Sequence, residues 1–110
     1  MAFEGAVRLT DGGELDKANP GIEDVVAAVD ALGGTVDDFL ILERGPGGQT
    51  YMQITGGPQR FILEYREGSK ERHFQCTADR ERALAALLSY AAGDEEDWQG
   101  MCDWIRLDMG

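Results

Sequence analysis

Between residues 36 and 76 apolar side chains recur at every second position. Glycine and proline break the pattern at nearly even intervals, at Gly45-Pro46-Gly47-Gly48, Gly56-Gly57-Pro58 and Glu67-Gly68-Ser69. Connections this short close hairpins, whereas parallel pairing needs a crossover of about a dozen residues. The spacing predicts a four-stranded antiparallel meander with strands over 39–44, 49–55, 60–66 and 71–76. Alternation on the second and third strands places Met52, Ile54, Phe61, Leu63 and Tyr65 on one face, as core. Tyr51, Gln53, Thr55, Ile62, Glu64 and Arg66 fall on the other, which is solvated or bound.

The flanks carry helical periods. Asn19-Pro20 offers an N-cap followed by proline at the first helical position, Ile22, Val25, Val26, Val29 and Leu32 form an apolar stripe, and Gly33-Gly34 ends it. Thr77 caps a second helix over 78–92 with a stripe of Leu84, Leu87, Leu88 and Ala91, stopped at Gly93. Asp94-Glu95-Glu96-Asp97 is unfavourable at that helix's negative end, so the run opens a further short turn of helix leading to Trp98. Residues 102–108 read as a last strand, and 6–10 as a short edge strand or part of an ordered tail. The economical packing is one α+β domain over 1–110: an antiparallel sheet of four to six strands, two helices on one face, in the order (β)-α-β-β-β-β-α-β.

Charge narrows the function classes. The chain of 110 residues has a net charge of −11, and the acids concentrate at its ends: seven against two bases in 1–34, six against five in 35–76, eight against three in 77–110. Such a field repels nucleic acid and anionic membrane and speeds encounter with basic protein surfaces. An acidic proteome, as in salt-adapted bacteria, is the competing explanation of the charge. No apolar run approaches the ~18 residues that span a bilayer, and the first residues lack the pattern of a signal peptide, so a cytoplasmic address is expected. Cys76 and Cys102 have no CxxC spacing and read as small buried apolar residues of a reducing compartment, with a disulfide between them left open.

No catalytic fingerprint stands out, and the chain is expected not to be an enzyme. His73 is the only histidine. A general base there would need a carboxylate such as Glu64 or Glu71 and a pocket, for which Tyr51 and Tyr65 are the candidate walls. His73-x-x-Cys76 supplies two zinc donors where a structural site needs four, so no metal or cofactor is expected. The glycine-rich turns lack the lysine and following helix of a phosphate-binding loop. The carboxylates of Asp94, Glu95, Glu96 and Asp97, with Trp98 beside them, form a candidate patch for docking a basic protein, and Asp37 and Asp38 are a lesser one. Trp98 and Trp104 serve equally well as core anchors.

The stretches Tyr51-Met52-Gln53-Ile54-Thr55-Gly56-Gly57, Phe61-Ile62-Leu63-Glu64-Tyr65-Arg66-Glu67-Gly68 and His73-Phe74-Gln75, followed by Tyr90 to Gly93, Trp98 and Trp104, resemble small bacterial immunity proteins. These are encoded beside polymorphic or contact-dependent toxins. The resemblance covers residues 20–107 by order of pattern rather than by a diagnostic motif. It implies a small acidic cytoplasmic α+β protein that neutralises one toxin domain, and it carries no catalytic residues. The expected partner is therefore a basic toxin domain, such as a nuclease, with no nucleic acid or membrane bound. A small-ligand site or enzyme around His73 is the first alternative, and a homodimeric structural module is the second.

Overall fold

Seven antiparallel strands form one sheet in the computed structural model, which describes residues 7–11, 15–32, 39–44, 50–56, 59–93 and 95–107, with the backbone alone at Lys70, Glu95 and Glu96. In chain order the elements are β1 (Val7–Thr10), β2 (Asp16–Ala18), α1 (Ile22–Asp30), β3 (Phe39–Arg44), β4 (Thr50–Gly56), β5 (Phe61–Glu67), a 3₁₀ turn (Lys70–Arg72), β6 (His73–Ala78), α2 (Arg80–Ala92), α3 (Glu95–Gln99) and β7 (Ile105–Arg106). The sheet order is β2-β1-β3-β4-β5-β6-β7. The meander is present, and among the described residues the fold is α+β with an antiparallel sheet and three α-helices. One addition distinguishes it from the expected order: β2 folds back on β1 as an edge hairpin before α1. The short turn of helix expected at the acidic run is α3.

Local chemistry sets the boundaries that differ from expectation. α1 starts at Ile22, because the Asp24 carboxylate accepts a 2.7 Å hydrogen bond from the Gly21 amide and satisfies an orphan donor there, while Asn19 takes a positive φ of 53° ahead of Pro20. α2 is capped by Asp79 rather than Thr77: its side chain accepts from the Arg82 amide at 2.9 Å, and Ala78 stays in β6. Its C-terminus turns at Gly93, φ 85°. No base of the helix itself lies in that last turn. Arg44 of β3 supplies the charge instead, donating from Nη1 to the carbonyls of Tyr90 (3.1 Å) and Ala91 (2.6 Å). Gly56 closes the β4–β5 turn at φ 97°, where a Cβ would come within 2.9 Å of the Arg60 carbonyl. The last strand is two residues rather than seven, and Gly33, Gly34 and Asp108 lie outside the described residues.

Register fixes which side chains are inside. Paired residues across an antiparallel ladder share a face, and Met52↔Tyr65, Ile54↔Leu63, Leu63↔Cys76 and Leu42↔Met52 put the expected core set together under α2. Val25 and Val29 of α1 and Ala83, Ala86, Leu87 and Ala91 of α2 complete one apolar cluster. The α2 stripe is rotated from the expected one: Leu84 and Leu88 are only partly buried, while Ala83, Ala86 and Tyr90 are inside. Small alanines let the helix approach the sheet closely, and the large rings fill the end near β6. There Tyr65 stacks on Phe74 (4.8 Å between ring centroids) and meets Trp98 (4.6 Å) and Trp104 (4.7 Å) edge-on. Among the described residues no helix is long and apolar enough to cross a membrane.

Candidate functional site

The sheet face turned away from α2 carries the polar alternation set, and at its β4–β5–β6 end these residues converge. Tyr51↔Arg66 and Arg66↔His73 are directly paired across the ladder, and Glu64 lies two positions along β5. Arg66 Nε donates to His73 Nδ1 at 3.2 Å, and His73 Nε2 lies 2.9 Å from Glu64 Oε1. Because Nδ1 accepts, the ring proton sits on Nε2 and is donated to the carboxylate. The Tyr51 ring meets the imidazole edge-on at 6.1 Å, and the Arg66 guanidinium lies over that same ring at 5.7 Å from its centroid. Burial pushes the Tyr51 phenol above its ordinary range; Arg66 opposes this and Glu64 adds to it.

The result is a closed relay rather than an open one. His73 is 3 % exposed, both of its ring nitrogens have partners, and its carbonyl accepts from the Leu107 amide at 2.8 Å. A base whose two nitrogens are engaged has none to offer a substrate without rearrangement. Of the four residues expected around this pocket, the fold brings His73, Glu64 and Tyr51 together. Tyr65 points through the sheet into the aromatic core instead, since it neighbours Glu64 and Arg66 in a strand of period two. Arg66, absent from the expected set, is the residue that locks the imidazole; the alternation had placed it on this face without showing that it would bond the ring.

The tryptophan beside the acidic run is buried, while Asp97 ahead of it is exposed. Glu95, Glu96 and Asp97 lie in α3, while Asp94, Asp37 and Asp38 are outside the described residues. Asp97 accepts a hydrogen bond from the Ser89 hydroxyl at 2.8 Å and so ties α3 to α2. Trp98 is 1 % exposed, wedged between Tyr65, Tyr90 and Trp104, so the indole anchors the core and presents no surface to a partner.

Most of the bases whose side chains are described are used within the molecule. Arg8 pairs with Asp16, Lys17 with Asp24, Arg72 with Glu67 and Arg80 with Asp30, while Arg44 and Arg106 donate to backbone carbonyls. The Arg8 contact holds the Asp16 carboxyl below its usual range, and Lys17, with the Gly21 amide, does the same to Asp24. Acids not matched in this way include Asp79, Glu81 and Asp103, which with Arg82 and Cys102 line an open groove of about 510 Å³ between the start of α2 and the chain after α3. Sequence spacing gave no sign of this convergence, because residues 79–81 and 103 are joined only by the fold. Among the described residues no group of three or more His, Cys, Asp or Glu is placed to hold a metal ion.

No protein-family model, curated protein or solved structure matches this chain.

Proposed function

We propose that this chain is a protein-binding inhibitor that meets a basic protein, in the manner of the immunity proteins its sequence resembles, and that carboxylates rather than a cavity carry the contact. One observation supports this reading above others. Most of the ten bases are spent on internal ion pairs, helix carbonyls or the imidazole, which leaves few of them to offset the net charge of −11 elsewhere on the molecule. A surface of that kind steers and orients a cationic partner, and arginine- or lysine-rich clefts that bind phosphates are its natural complement. The closed state of His73 weighs against the small-ligand reading, because the alternative pocket has no open nitrogen at its centre.

The test begins with the genes beside this one: a basic toxin domain encoded there is expected to bind this chain, measured as association rate against salt, and the absence of such a gene counts against the reading. The reading predicts rapid association at low salt and rescue of cells that express that domain. Replacing Asp94, Glu95 and Glu96 by lysine should slow association by about tenfold or more and flatten its salt dependence. Unchanged association of the triple variant at low salt removes this run from the interface, and failure of the wild-type chain to bind or rescue removes the inhibitor role.

A homodimer through the outer sheet face is the second reading, favoured by the exposure of Ile62 (37 %) and Ile105 (67 %) on that face. Two copies at −11 each repel, which sets a cost that such a small apolar area must overcome. Light scattering at low and high salt separates the two readings, since a sheet-face dimer strengthens as salt is raised.

A further inference from the structure

We propose that Cys102 is a thiol redox-modification site and Cys76 its resolving partner, converted to an intramolecular disulfide by low-molecular-weight disulfides of the glutathione type. Nothing in this depends on the inhibitor role. The two thiols, 26 positions apart in sequence, are brought to one side of the sheet by the fold: Cys102 packs against the apolar cluster that contains Cys76, and the two groups interact. Their settings differ in the way a two-step exchange requires. Cys76 sits in β6 opposite Leu63 and is 5 % exposed, so the strand ladder fixes it and small oxidants do not reach it. Cys102 lies in the irregular stretch between α3 and β7, is half-buried, and lines the wide groove beside Arg82 and Asp103. One sulfur is therefore reachable and the other waits behind it.

The chemistry closes without a further reagent. Cys102 gives its proton to solvent and its thiolate attacks one sulfur of oxidised glutathione; that disulfide breaks, a glutathione thiolate leaves, and Cys102 carries a mixed disulfide. Cys76 then loses its proton and attacks Cys102 Sγ, the mixed bond breaks, and a second glutathione leaves. The pair has lost two electrons and two protons, and one oxidised glutathione has become two reduced ones. Forming a bond of about 2.05 Å requires the two sulfurs to close on each other, a movement that falls to the irregular stretch around Cys102 rather than to the strand around Cys76. Burial, with the neighbouring Cys102, pushes the Cys76 thiol well above its ordinary range, which makes the second step the slower one. The product ties β6 to the chain beyond α3 and so closes a loop around both C-terminal helices.

The full-length chain is incubated, folded and reduced, with excess oxidised glutathione and followed by intact mass. Wild type should end two hydrogens lighter than the dithiol, free of adduct, and return on reduction. Cys76→Ala should stop one glutathione heavier, and Cys102→Ser should react at least about tenfold more slowly than wild type, because only the buried thiol remains. If Cys76→Ala does not fold, Cys76→Ser or the wild-type product alone decides. A wild-type protein that keeps its glutathione, forms only intermolecular dimers, or retains both thiols while its urea-unfolded form reacts overturns the proposal.

Discussion

β5 and β6 present two clusters on opposite faces, offset by a single residue along each strand. On the inner face Tyr65 and Phe74 stack and gather Trp98, Trp104 and Tyr90 around them. On the outer face their neighbours Arg66 and His73 pair with each other and with Glu64 under the edge of Tyr51. Both clusters bury their central ring, yet by different physics. The inner one excludes water by filling space, and the outer one retains polar groups by satisfying each of them. Strength in the first is additive area; in the second it is geometry, and the loss of one member strands the others.

Substitutions that separate the two kinds of burial test this contrast. Trp98→Ala should have the largest effect, a loss of about 3–5 kcal/mol of folding free energy in urea titration, since the ring touches aromatic neighbours on several sides. A loss below that of an ordinary surface change would mean that the inner cluster does not hold α3. Next comes His73→Ala, which leaves Arg66 and Glu64 facing each other across a vacated site and should cost about 1–3 kcal/mol. His73→Gln, which can still offer a donor and an acceptor, should recover part of that; no recovery would show that packing and not hydrogen bonding matters on the outer face. Asp79→Ala removes the cap of α2 and should cost about 1 kcal/mol by the same titration. Ile62→Thr, on the exposed outer surface, should change stability by less than about 0.5 kcal/mol, and a larger loss would place that residue in the core after all.

The faintest effect is confined to acid. The carboxyls of Asp16 and Asp24 lie below their ordinary value of 3.8 in the folded chain, so their contribution is complete above that pH and disappears as pH falls through the lowered values. Lys17→Met should therefore differ from wild type at neutral pH and converge on it in strong acid, when thermal unfolding is followed across pH. A gap that persists in acid would assign the effect of Lys17 to packing of its aliphatic stem.

The sheet was legible because period two and turn residues are local signals. Phe39–Arg44 has the bounds that the sequence implies, and all five core residues expected on β4 and β5 are buried. What escaped was set by competition between nearby groups. Asp79 and Thr77 are both cap formers, and only the extent of the β6 ladder decides between them. The β1–β2 hairpin was missed because Asp16-Lys17-Ala18 has no apolar alternation; it is held by ladder bonds and by the Arg8–Asp16 pair. At the candidate site, the facing of Glu64, His73 and Tyr51 could be read from alternation. The sealing of the imidazole by Arg66 could not, nor could the inward turn of Trp98, because each depends on which of several neighbours wins a particular partner.

The strand order has a bearing on how the chain reaches its native state. From β3 to β6 each strand pairs with the next in sequence, so that stretch can zip by short closures whose entropic cost is small. β1 must instead reach past β2 and α1 to find β3. The N-terminal hairpin is thus expected to join last and to open first, and native-state hydrogen exchange should find the amides of Arg8 and Leu9 opening well before those of Ile54 and Leu63.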